Sequence, residues 1–356
     1  MTATNIRVFD GHNDVLLRLH LAGGADAVRS FIEGRDGHID LPRARQGGLA
    51  GGLFAIFVPP EDEGGEQSAN ELMTAERYEV PLPLKLEFGH AQHEVLAMAT
   101  LLTGIETESK GRVRVCRDTS QVRDCMEQGV FAAVMHLEGA EGIDPEFAML
   151  QRLHDSGLRS LGPVWSRPNA FGHGVPFRYP SSPDSGPGLT GLGKQLVREC
   201  NRLRIMVDVS HLTERGFWDV AAASTAPLVA THSNAHAICP HSRNLTDRQL
   251  AAIRERGGMV GVNFATTFLR DDGRLNTDTP LDQVVRHFDH LIDQLGESGV
   301  GFGSDFDGAT IPQAIGDVAG LPRLIDAMRT HGYGEALIEK LCWRNWLGVL
   351  ERTLDG

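Results

Sequence analysis

His12 and Asp14 stand two residues apart in Val8-Phe9-Asp10-Gly11-His12-Asn13-Asp14-Val15, directly after a short apolar run. On an extended segment alternate side chains point the same way. An imidazole and a carboxylate would leave one strand end together, a compact way to hold a divalent metal. Later strand-like runs end in the same residue types. Glu138 closes Met135-His136-Leu137-Glu138, His211 follows Val207-Asp208-Val209-Ser210, His232 follows Ala230-Thr231, and Asp305 follows Gly301-Phe302-Gly303-Ser304. Each of these groups alone is commonly a turn or loop acceptor. Their recurrence at the same end of successive strands points instead to a metal centre, because three histidines and three carboxylates suit two borderline ions such as zinc. His136 is expected one face away from this set, as a structural histidine. Asp208 either orients an imidazole from behind or faces the helix layer.

The elements that must position these residues recur along the chain. Strands are expected at Arg7–Asp10, Gly51–Val58, Val130–Leu137, Arg159–Trp165, Ile205–Val209, Leu228–Thr231, Met259–Phe264 and Val300–Gly303. Most are short and rich in Val, Ile or Phe, as in strands covered on both faces. Helical patterns lie between them. Leu281–Leu295 sets Val284, Val285, Phe288, Leu291, Ile292 and Leu295 along one face, and Leu189–Arg204 buries Leu192, Leu196, Val197 and Leu203. Thr246–Arg256 opens on Thr246 with Gln249 three residues on and stops at Gly257-Gly258. Eight strands alternating with helices predict a TIM-like (β/α)8 barrel with its active site at the C-terminal strand ends. A doubly wound sheet would need a glycine-rich dinucleotide fingerprint, which the chain lacks. No linker or repeat divides residues 1–356, so one barrel domain is expected. Glu61–Gln67 reads as a surface loop. Asn169–Gly188, dense in Pro, Gly and Ser, either lines the pocket or is a surface loop.

Composition narrows the partners. The 356 residues carry a formal net charge of −13 without a basic cluster, which disfavours nucleic acid and anionic membranes. Five dispersed cysteines without a Cys-x-x-Cys pair argue for free thiols in a reducing compartment. The polar N-terminus and the lack of a membrane-length apolar run predict a cytoplasmic protein, with a homodimer a compatible assembly.

The chain resembles the membrane dipeptidase (renal dipeptidase) family of the binuclear amidohydrolase-like barrels. The resemblance is carried by Asp10-Gly11-His12-Asn13-Asp14, His136-Leu137-Glu138-Gly139, Val207-Asp208-Val209-Ser210-His211, Thr231-His232-Ser233, Arg243-Asn244, Gly261-Val262-Asn263-Phe264 and Gly303-Ser304-Asp305-Phe306-Asp307-Gly308, in family order. It implies that His12, Asp14 and Glu138 hold one zinc, that Glu138, His211 and His232 hold the other, and that Glu138 bridges them. Asp305 corresponds to the catalytic acid/base and Arg243 to the residue gripping the substrate carboxylate; without the resemblance, Arg243 reads as a surface salt bridge.

Two positions depart from the family pattern. Trp165, in Pro163-Val164-Trp165-Ser166, stands where the family commonly has a histidine that contacts the reacting carbonyl, and is expected to bind substrate. Phe268 lies about where some relatives have a tyrosine, and His173 is a candidate replacement imidazole. The resulting expectation is a soluble zinc metallopeptidase holding two Zn2+ per chain and hydrolysing dipeptides, including those with a C-terminal D-residue. The alternatives are another amidohydrolase, such as an N-acyl-amino-acid or small-ester hydrolase, and a non-catalytic ligand-binding barrel.

Overall fold

The computed structural model describes residues 6–24, 26–60 and 65–356. Eight strands form the ring: β1 (Val8–Asn13), β2 (Leu49–Phe57), β3 (Phe131–Glu138), β4 (Leu158–Gly162), β5 (Met206–Val207), β6 (Val229–Ser233), β7 (Met259–Val262) and β8 (Val300–Phe302). Parallel ladders run without a break in the order β5-β4-β3-β2-β1-β8-β7-β6. An isolated parallel bridge between Asp208 and Val229 joins the two ends, where Val209 N–H donates to the Val229 carbonyl at 2.8 Å. The expected α/β barrel is therefore the observed fold.

Sequence explains why these runs become strands. Every residue of β1, β3 and β6 is buried, so apolar runs without polar alternation suit a sheet covered by helices outside and side chains inside. The helix Leu281–Leu295 forms as expected and buries Val284, Val285, Phe288, Leu291 and Leu295. Helix Asp247–Glu255 is closed by the Thr246–Gln249 capping box. Below the site, the fully buried Trp346 donates its indole N–H to the Phe302 carbonyl at 2.8 Å, tying the C-terminal helical segment to β8.

Several boundaries differ from the sequence expectation. β1 continues through Asn13, which places His12 inside the strand. β4 stops at Gly162, before Trp165, and β5 is only two residues long before its bridge to β6. Three helices fill the link from β1 to β2, and a short strand, Val113–Val115, pairs in parallel with the first residues of β3, Phe131–Ala133. Residues 61–64 of the Glu61–Gln67 stretch lie outside the described residues, and helix Gly65–Leu72 begins within it. The Asn169–Gly188 segment lies over the mouth of the barrel. Its Gly174 bridges Leu212, its Val175 N–H donates to the His211 carbonyl at 2.8 Å, and Arg178–Tyr179 pairs antiparallel with Tyr78–Glu79.

Candidate metal centre and substrate site

The C-terminal ends of the ring strands gather the residues that the sequence separates. His12 Nε2 lies 3.4 Å from Asp14 Oδ2 and 3.5 Å from Glu138 Oε2. The other oxygen of Glu138, Oε1, lies 3.0 Å from His211 Nε2 and 3.5 Å from His232 Nε2. One carboxylate thus turns its two oxygens toward two different sets of donors. All five residues are buried.

Local structure aims these side chains. Asn13 donates its amide to the Leu53 carbonyl at 3.0 Å, and Asp14 N–H donates to the Phe306 carbonyl at 2.8 Å, so the end of β1 is held from both sides. The imidazoles are also oriented from behind. Thr231 Oγ1 donates to Asp208 Oδ2 at 2.6 Å, which leaves its lone pairs to accept from His232 Nδ1 at 2.8 Å. That tautomer turns the Nε2 lone pair of His232 toward Glu138. His211 Nδ1 pairs with Ser166 Oγ at 2.8 Å, again leaving Nε2 to face the cluster. Asp208 therefore orients an imidazole through Thr231 and does not face the helices.

The donor set fits bound metal. Both nitrogens of His12 and Asp14 Oδ1 are buried without a hydrogen-bond partner among the described residues. The His12, Glu138 and His232 donor atoms lie within 4.8 Å of one another, as do those of His12, Asp14 and Asp305. Burial holds the His211 and His232 imidazoles well below their usual pKa, keeping them neutral as ligands must be. Burial also pushes the Glu138 carboxyl up to about 7, a cost that a cation in the cluster would remove.

Asp305 enters from the loop after β8 in a left-handed backbone conformation, with φ of 60°. Its N–H donates to the His12 carbonyl at 3.0 Å, and its Oδ2 accepts from Asn263 Nδ2 at 2.9 Å. Burial raises its pKa, and the nearby Asp14 charge adds to the rise. Gly308 gives this loop its room: a Cβ there would meet Asp14 Oδ2 at 2.1 Å and Asp305 Oδ1 at 2.5 Å. Two residues of the resemblance segments, given no role of their own from sequence, stabilise this loop. Asn263 is a polar side chain at the end of an apolar strand, a signal that could have found it. Asp10 accepts from Ser304 N–H and Ser304 Oγ, each at 2.7 Å, and so fixes the start of the Asp305 loop.

Arg243 is not on the surface. It is 4% exposed, donates Nη2 to the His232 carbonyl at 3.0 Å and Nη1 to Ser233 Oγ at 3.3 Å, and leaves Nε without a partner. Among the described residues it has no carboxylate within ion-pair distance, and burial lowers its pKa to about 10. Its guanidinium sits 5.4 Å from the Phe268 ring centroid. Trp165 is half-buried, with ring centroids 4.8 Å from Phe57, 5.8 Å from Phe177 and 5.8 Å from His211.

One histidine sits elsewhere than its sequence suggests. His136 shares the inward face of β3 with Glu138, as the two-residue period requires, and meets the His12 ring edge-on at 5.4 Å. It pairs with Ser160 Oγ at 2.8 Å. His173 pairs its Nδ1 with the Gly188 carbonyl of its own loop at 3.3 Å.

The family model for membrane dipeptidases, peptidase family M19, matches residues 2–355. The chain belongs to the M19 membrane dipeptidase family. It is therefore a metallo-dipeptidase by family. A metallo peptidase of Rhodobacter sphaeroides, solved with a phosphinate mimic of the dipeptide L-Ala-D-Ala, is 57% identical with a TM-score of 0.96, covering 98% of this chain and 100% of that one. The M19 metallo peptidase described as dipeptidase AC is 56% identical, with a TM-score of 0.96 over 99% of this chain and 100% of its own. An uncharacterized protein encoded in the pqqA 5' region of Klebsiella pneumoniae is 53% identical over 71% of this chain and 93% of that protein. No helix among the described residues of this M19 chain is long and apolar enough to cross a membrane.

Proposed function

We propose that this M19 member is a binuclear zinc dipeptidase acting on dipeptides with a free C-terminal carboxylate, including those that end in a D-residue. The observation that carries the reading is the division of Glu138 between the His12–Asp14 side and the His211–His232 side. In this reading His12, Asp14 and Glu138 hold one ion, and Glu138, His211 and His232 hold the other. Two such ions, when bound, polarise a peptide carbonyl and make water a stronger acid. The chain supplies the rest. Arg243, a buried cation with an unused Nε–H, binds the substrate carboxylate and orients the dipeptide. Asp305, held by Asn263, accepts a proton on its carboxylate and returns it to the departing amine. Trp165 and Phe57 wall the entrance, where they exclude water and select side chains.

The L-Ala-D-Ala mimic bound by the Rhodobacter sphaeroides relative supports the D-residue assignment. The experiment is turnover by zinc-loaded protein on L-Xaa-L-Xaa and L-Xaa-D-Xaa dipeptides beside N-acyl amino acids and small esters. Preference for L-Xaa-D-Xaa dipeptides supports the proposal. Faster turnover of N-acyl amino acids, or no turnover at all, overturns it.

A further inference from the structure

Beside the metal-binding cluster lies a second set of buried charges with no part in the chemistry described above. Glu138 is followed by Gly139, Ala140 and Glu141. Gly139 has φ of 87°, and a Cβ there would meet Glu141 Oε2 at 2.3 Å. The glycine thus lets the chain turn sharply after β3 and lets the Glu141 side chain fold back over the strand end. Its partner comes from the loop after β4. Arg167 donates Nε to Glu141 Oε1 at 2.9 Å and Nη2 to the Val58 carbonyl at 2.8 Å. The side chains are 0% and 2% exposed, so this ion pair is fully withdrawn from solvent.

A desolvated pair of this kind is weak as a source of stability, because the lost hydration offsets much of the attraction. Its placement suggests a different role. Arg167 ties together the ends of three neighbouring strands: β2 through Val58, β3 through Glu141, and its own loop after β4. Its guanidinium carbon also lies 5.5 Å from the Trp165 ring centroid and 5.7 Å from that of Phe57. Those two rings are 4.8 Å apart, and the indole of the pair stands 5.8 Å from the His211 ring. A planar cation against two aromatic rings is attractive and directional, more so where water is excluded. Lysine has the charge but not the flat face or the forked donors.

We infer that Arg167, locked by Glu141, is a positioning residue that fixes Trp165 and Phe57 as one rigid wall and thereby sets which dipeptide side chains the site accepts. The role rests on the reading of Trp165 as a substrate-facing residue. It explains why the tryptophan is accompanied, two residues on, by a buried arginine, and why Glu141 follows so closely on Glu138. Arg167 itself need not touch substrate. Its effect passes through the indole.

The test is Arg167→Lys in the zinc-loaded enzyme, assayed on dipeptides graded by side-chain size. The expected result is wild-type metal content, a larger change in KM than in kcat, and at least about a tenfold shift in the kcat/KM ratio between small and bulky substrates, the scale at which pocket shape discriminates. In a Trp165→Ala background the same substitution should add no further shift, since the two residues act as one unit. Unchanged ranking in Arg167→Lys, or a shift that persists undiminished without the indole, overturns the inference. Should Arg167→Lys fail to fold, the paired change Glu141→Met with Arg167→Met removes both charges together and carries the same expectations. Wild-type enzyme that turns over no dipeptide overturns the dipeptidase reading and this inference with it, whereas normal turnover with unchanged ranking overturns only the positioning role.

Discussion

His211 and His232 face each other through their Nε2 atoms at 3.0 Å, each held from behind on its Nδ1. Neither imidazole readily takes a second proton, because burial keeps both well below their usual pKa. Two neutral rings fixed in this way are poised for a shared cation. Chelation should therefore lower the melting temperature, and restoring zinc at about a thousand times its Kd should return about 4 kcal/mol of stability for each site filled. Elemental analysis should find two ions per chain, and Glu138→Gln should lose both. A stable maximum of one ion with full activity would reject the binuclear assignment.

Asp305→Asn keeps the size and one hydrogen-bonding oxygen of the side chain but removes its proton-accepting charge. Metal content should be largely retained while kcat falls roughly 10²–10⁴-fold, as for a group that moves a proton in the transition state. Steady-state kinetics on the preferred dipeptide check this, and a normal kcat would remove Asp305 from the mechanism.

Arg243→Ala should act on recognition. The guanidinium is buried without a carboxylate partner among the described residues, so its loss should reduce kcat/KM on free-acid dipeptides far more than on their C-terminal amides. Equal losses on both substrate forms would assign carboxylate binding elsewhere.

Acid stability should depend in part on His287, which is buried outside the candidate metal-binding cluster. It accepts from Ala235 N–H on Nδ1 at 3.2 Å and lies 2.8 Å from the Leu269 carbonyl through Nε2, an arrangement that uses the neutral ring. Burial lowers its pKa from 6.5 to about 4. The unfolded chain then binds the proton first as pH falls, so this contribution is complete above pH 6.5 and is lost progressively down to about pH 4. Between pH 7 and 5 the loss is about 2 kcal/mol. His287→Gln can keep both hydrogen bonds without titrating, and its unfolding free energy in urea should fall less over that interval than the wild type's. Equal falls would show that His287 does not carry the effect.

The strand ends were legible because each buried parallel strand is a continuous apolar run, and the polar residue that stops the run marks the mouth of the barrel. Glu138 and His232 could be placed in this way from local pattern alone. Asn263 stops the apolar run of β7 in the same way, whereas Asp10 and Arg167 could not be placed, since their partners Ser304 and Glu141 lie beyond the ends of other strands and no local period announces them. His136 was a different case: the two-residue period already sets it on the same face as Glu138. Val113–Val115 was too short to register, and β5 shorter than its apolar run because the chain bends away after the Asp208 bridge toward His211, whose φ is 62°.

The Asp208 carboxylate serves both the closure of the ring and the site. It accepts from Thr231 N–H at 2.9 Å across the β5–β6 junction, and it holds the hydroxyl that orients His232. Slow amide exchange at this seam and tight retention of the ion on the His232 side should accordingly rise and fall together. A breathing motion that unzips the barrel here would also unlatch His232, the proposed ligand, so opening of the ring and release of an ion held there would share one motion.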